Sequence, residues 1–130
     1  MISGEIMANL DDIQSEVKAW ARHNFPDQTP ELTLLGVAEE TGELCHAILK
    51  QRQLIRGTYD QHEAKAKDSV GDLLIYLLHL CTLKGWSLNE ILVNTWDEVR
   101  QRDWVENPTT GAKNENFTTI TTSGTSREGD

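Results

Sequence analysis

Five consecutive residues, Glu39-Glu40-Thr41-Gly42-Glu43, hold three carboxylates. If the segment is helical, Glu40 and Glu43 are i and i+3 and lie on adjoining turns of one face. Gly36 and Ala47 extend that face and leave room around the two acids. Glu39 is i−4 to Glu43, a spacing at which like charges repel by a few tenths of a kcal/mol in a helix. A bound cation would reverse that sign. About thirty residues on, Asp68 and Asp72 are i and i+4, with Ser69, Asp72 and Tyr76 along one flank. Clustered carboxylates are hard oxygen donors of the kind that suit Mg²⁺ or Mn²⁺. Acidic residues on a helix more often form a solvated face. These acids instead border apolar stripes, and they do so on consecutive helical segments.

Four helices are needed to position them. The first is predicted from about Leu10 to Asn24, capped by Asn9, with Asp11 and Asp12 in its first turn and Ile13, Val17, Trp20 and Ala21 at helical spacing. The second begins with Thr29 as cap and Pro30 in the first turn and continues to near Gly57. Its expected core stripe is Leu34, Val37, Thr41, Leu44 and Ile48. The third spans about His62 to Lys84 and ends at Gly85, with Val70, Leu73, Leu74, Leu77, Leu80 and Cys81 as its stripe. That helix is apolar around much of its circumference, which places it at the centre of a bundle or at a subunit interface. Ser87 and Glu90 have capping-box spacing and open a fourth helix, expected to end near Asp103 or Trp104 and to bury Ile91, Leu92, Thr95, Trp96 and Val99. The result is an all-α, four-helix bundle-like fold, oligomeric because the third helix is too apolar for a monomer surface. Residues 1–8 read as a flexible leader, 9–111 as the helical domain and 112–130 as a mobile polar tail.

The two acidic segments resemble known motifs. Gly36-Val37-Ala38-Glu39-Glu40-Thr41-Gly42-Glu43-Leu44 resembles the EExxE motif of the MazG-like all-α NTP pyrophosphohydrolases. Asp68-Ser69-Val70-Gly71-Asp72-Leu73-Leu74 is similar to that family's ExxD motif, and Arg102-Asp103-Trp104 with Asn107-Pro108 and Gly111 to a C-terminal segment of its members. The resemblance covers roughly Leu10 to Gly111. It implies Mg²⁺-dependent conversion of a (d)NTP to a (d)NMP and pyrophosphate, in the service of nucleotide-pool control. It implies Glu40, Glu43 and Asp72 as metal ligands, and Glu39 as a ligand to another ion or the group that orients the attacking water. One departure stands out: the first acid of the second motif falls on Ser69, so that either Ser69 holds a water-mediated contact, or Asp68 leans in from one residue earlier, or the site is weakened.

Other residues are candidates for holding a nucleotide. Lys50, Arg52 and Arg56 follow the acidic motif and are placed to meet outer phosphates, although cations also favour a helix C-terminus. Arg102 and Lys113 are weaker phosphate candidates. Tyr76, one turn past Asp72, points toward the same region. Phe25 is suited equally to stacking on a base or to packing, and Trp20 is expected in the core. Trp86, Trp96 and Trp104 are expected to pack or to lie in an interface. Glu43-x-x-His46 has the spacing of di-iron carboxylate bundles, but such sites need that unit twice and the third helix offers Asp72-x-x-Ile75. A di-iron bundle and a non-catalytic oligomeric bundle are therefore the rival readings.

Composition narrows the field. The formal net charge of −9 over 130 residues argues against a nucleic-acid polymer as partner, since such affinity rests on cations neutralising phosphates. A cation-masked nucleotide remains compatible. No segment has transmembrane length or the pattern of a signal peptide, and Cys45 and Cys81, both read as buried, have no zinc or disulfide spacing. A reducing, cytoplasmic location follows as the default expectation.

Overall fold

A computed structural model describes residues 9–113. The expected leader (residues 1–8) and residues 114–130 of the expected tail lie outside the described residues. The chain divides into two compact units, one through Leu92 and one from Val93. Among the described residues the regular elements are all helices: α1 (Leu10–Asn24), α2 (Pro30–Gln53), α3 (Tyr59–Lys84) and α4 (Leu88–Val99). No helix is long and apolar enough to cross a membrane.

The helix starts follow from local chemistry. The Asn9 side chain accepts from the Asp12 N–H, and the Thr29 hydroxyl accepts from the Leu32 N–H with Pro30 just inside the helix. Thr58 and Gln61 form a reciprocal capping box, so α3 begins three residues before the expected His62. Gly85 closes α3 in the left-handed conformation. The end of α2 departs from expectation. It stops at Gln53, with Leu54 as a left-handed cap at φ 56°, and the chain regains an extended path through Arg56 (φ 58°) and Gly57 (φ 144°).

In the first unit α3 is the central helix, packed against both α2 and α1. The α2–α3 pair runs antiparallel. Gly36 meets the Tyr76 ring, Glu43 pairs with Lys65 at 3.7 Å, and the Gln51 amide donates to Glu63 at 2.7 Å. The seam is made of small and polar residues. Thr33, Gly36 and Ala47 of α2 are buried, as are Ala66 and Ser69 of α3. Small residues let the two backbones approach closely. The stripes read from the sequence are therefore out of phase. Leu34 and Ile48 of α2 and Val70 and Leu74 of α3 are exposed, while Val37, Leu44, Leu73 and Leu77 are half-buried. The carboxylates Glu40, Glu43 and Asp72 are half-buried like those four, and Cys81 of the expected α3 stripe is buried. Ala21 anchors α1 and is fully buried.

Gln14 ties α1 to the turn after α3. Its amide nitrogen donates to the Trp86 carbonyl at 2.7 Å, and its amide oxygen accepts from the Leu88 N–H at 3.0 Å. Ser87 accepts from the Glu90 N–H and donates to the Asp11 carboxylate at 2.9 Å. The capping role expected of Ser87 is thus present, but α4 stops at Val99 and buries none of its residues. In the second unit, Asp103 accepts from the Val105 and Glu106 N–H groups, Gly111 lies under the Trp104 ring, and Lys113 pairs with Glu98 at 3.0 Å.

Candidate metal and nucleotide site

The α2–α3 seam brings the two acidic segments together. With Gly36 against Tyr76 and Glu43 against Lys65, the antiparallel register sets Glu40 level with Asp72. Glu40 is half-buried on the inward face, one turn after Gly36. Burial pushes its carboxyl above the ordinary carboxylate range, and the nearby charges of Glu43, Asp72 and Glu39 push it further, with Lys65 pulling weakly the other way. One of its oxygens, Oε2, is buried with no hydrogen-bond partner. Glu43 and Asp72 are half-buried, and Glu39 lies exposed on the flank. Asp68 is exposed, and the inward residue at that level is Ser69, only 1% exposed with its hydroxyl unpartnered.

A cavity of about 430 Å³ opens beside this group. Its lining combines the carboxylates Glu40 and Asp72 with Trp20 and Phe25 from the end of α1, whose rings are in edge-to-face contact at 5.5 Å. Ile75, Tyr76 and His79 of α3 and Gln28 from the loop before α2 complete it. Asp72, Tyr76 and His79 share a face because they fall at i, i+4 and i+7 of α3. A Cβ on Gly36 would collide with the Tyr76 ring, so that glycine is what lets the ring lie against α2. His79 is 9% exposed, and its burial lowers its pKa and favours the neutral ring.

Several expectations change here. Trp20 is not core: it is 53% exposed and lines the cavity with Phe25. His79, read from the sequence as an ordinary partly exposed residue, is buried against the cavity. Cys81 is buried as expected, whereas Cys45 is exposed. Lys50 lies about ten residues along α2 from Glu40, roughly 15 Å, and its ammonium donates to Gln53. Arg52 and Arg56 are exposed at and beyond the end of α2. Arg102 is exposed in the second unit, where its backbone bridges to Lys113. His46 is exposed. The cation that does meet the acids is Lys65, which sequence reasoning missed, as it missed Gln28. The face Lys65, Ser69, Asp72, Tyr76 and His79 alternates steps of four and three, and that spacing was the available signal.

What the arrangement can do chemically follows from these charges. Desolvated carboxylates held in mutual repulsion, one with an orphaned oxygen, are relieved by a cation, and all-oxygen donors fit a hard divalent ion. Among the described residues no three acidic, histidine or cysteine groups already stand in a ligating arrangement. The model of the MazG nucleotide pyrophosphohydrolase domain matches residues 28–104, a span that contains both acidic segments and most of the cavity wall. No curated protein and no solved structure matches the chain.

Proposed function

From the premise that the chain belongs to the MazG nucleotide pyrophosphohydrolase domain family, we propose that it is a Mg²⁺-dependent enzyme, with Mn²⁺ able to substitute, that converts a (d)NTP to its monophosphate and pyrophosphate. The observation that carries this reading is the cavity, whose lining combines the carboxylates Glu40 and Asp72 with the Trp20–Phe25 pair. A nucleoside triphosphate asks for both, since it carries a highly charged part and a flat aromatic part.

In this reading Glu40, Glu43 and Asp72 hold the metal, with Glu39 and Asp68 available on the flanks. The bound divalent ion would neutralise the triphosphate and stabilise charge as the bond between the α and β phosphorus atoms breaks. The chain's own residues do the rest. Glu39, exposed beside the group, orients the attacking water and accepts its proton. Phe25 and Trp20 stack on the base and Tyr76 contacts the sugar or base. Lys50 is a proposed contact to the outer phosphates. The exposed apolar residues of α2 and α3 support self-association as a dimer or tetramer. A role in adjusting a cytoplasmic nucleotide pool follows from this chemistry.

The test is incubation with a panel of NTPs and dNTPs and Mg²⁺, with products separated by chromatography. Monophosphate and pyrophosphate are expected. Glu40→Gln or Asp72→Asn should abolish turnover with unchanged far-ultraviolet circular dichroism. Full activity in both variants would reject the site.

A further inference from the structure

Ser69 is 99% buried by its 1% residual exposure, yet its hydroxyl has no hydrogen-bond partner. Hydroxyls inside helices ordinarily satisfy themselves by bonding back to the carbonyl four residues earlier. Thr33, Thr41 and Thr82 of this chain all do so, at 2.9, 2.8 and 3.0 Å. Ser69 does not. Its position explains what the hydroxyl has been left free for. Ser69 is i−3 to Asp72 on the inward face of α3, and the antiparallel register sets it against the Glu40–Glu43 turn of α2. The other orphaned buried atom among the described residues is Oε2 of Glu40, at the adjoining level of the facing helix. An unsatisfied buried polar group costs stability, and such groups mark places where an ion, a water or a second state supplies the partner.

We infer that Ser69 is a positioning residue for the acidic group: its single O–H donates to one carboxylate of the facing Glu40–Glu43 turn, orienting it when a divalent cation is bound. This rests on the metal-dependent reading above. A neutral donor suits the position. A hydrogen bond to a ligating carboxylate fixes its orientation and leaves its negative charge for the ion. A further carboxylate at a site this buried would add to the repulsion already acting on Glu40. The exposed Asp68 next to it has no such access to the seam.

The hypothesis makes two effects of one substitution run in opposite directions. Ser69→Ala removes an unsatisfied group from the empty protein, so the metal-free melting temperature should stay level or rise. It also removes the donor from the loaded state, so Mn²⁺ affinity should fall roughly tenfold, the usual cost of losing a partner of a metal ligand. Ser69→Cys, similar in size but a weak donor, should fall between the parent and the alanine variant. Mn²⁺ binding is read by the paramagnetic resonance of the free ion, and stability by thermal unfolding with and without Mn²⁺. Unchanged Mn²⁺ affinity in Ser69→Ala overturns the inference alone. So does a lowered metal-free melting temperature in step with the lost affinity, which is what a packing role would give. Failure of the unaltered chain to bind Mn²⁺ overturns the metal-dependent reading itself.

Discussion

At the scale of single residues, Glu40 and His79 are buried at the same cavity but respond to pH in opposite directions. The folded-state pKa of Glu40 is raised above 4.5, so the folded protein binds its proton more tightly than the unfolded chain does. Below that ordinary value Glu40 costs the fold nothing, and its cost grows as pH rises through the shifted pKa. The metal-free melting temperature of Glu40→Gln should therefore exceed that of the parent, by a gap that opens as pH rises above 4.5 and levels off once the folded carboxyl has ionised. His79 is lowered from 6.5, so the unfolded chain takes up a proton that the folded ring resists. His79 thus subtracts stability as pH falls below that value. In Asp72→Asn and Glu40→Gln backgrounds, which neutralise the carboxylates lining the same cavity, adding His79→Gln should flatten the acid limb of the melting curve. An unaltered limb would remove His79 from the account. The acids themselves were legible in the sequence, as was the face that Gly36, Glu40, Glu43 and Ala47 share. The roles of His79 and Lys65 were not, because a lone histidine or lysine on a helix has no signature until the register across the seam is known.

At the scale of elements, the starts of α1, α2 and α4 were legible because each cap is a local event between a side chain and an amide three residues on; that of α3 was set three residues late because the Thr58–Gln61 capping box was not read. Asn9, Thr29 and Ser87 all accept as their types predict. The end of α2 was not legible, since Leu54 gives no warning of a left-handed conformation that costs an L-residue about 1–2 kcal/mol. Leu54→Gly should relieve that strain and stabilise the fold by about 0.5–1 kcal/mol net of the added chain entropy, measured by urea unfolding. The phase of α2 and α3 was misjudged for a different reason. A hydrophobic stripe gives the face that could be hidden from water, but the α2–α3 seam closes on small residues, Thr33, Gly36, Ala47, Ala66 and Ser69, which hydrophobicity alone does not single out. Gly36 illustrates the constraint on that seam. Gly36→Ala improves intrinsic helix propensity by about 1 kcal/mol, yet it must displace the Tyr76 ring. A net loss of roughly 1–3 kcal/mol is expected from overpacking, with a raised KM for nucleotide. A variant as stable and as active as the parent would show that the ring has somewhere else to go.

At the scale of the whole molecule, the exposed apolar residues are too many to be incidental. Leu34, Leu35, Ile48 and Leu49 of α2 and Val70, Leu74 and Ile75 of α3 all stand in water in the single chain. Contiguous surfaces of that kind mark association sites. Sedimentation is expected to find a dimer or tetramer, and Leu35→Glu combined with Val70→Glu is expected to yield monomers with a lower melting temperature. A parent that sediments as a monomer at micromolar concentration would contradict this. The apolar side chains Ile91, Leu92, Val93 and Trp96 of α4 are exposed as well.

Gln14 has a longer reach than its own three hydrogen bonds. By gripping the α3–α4 turn from both ends of its amide, it sets the tilt at which α1 leaves that turn, and α1 ends in the Trp20–Phe25 pair. A change at the half-buried Gln14 is therefore expected to shift the Trp20–Phe25 pair from a distance, since the anchor and the aromatic pair lie at opposite ends of one rigid helix.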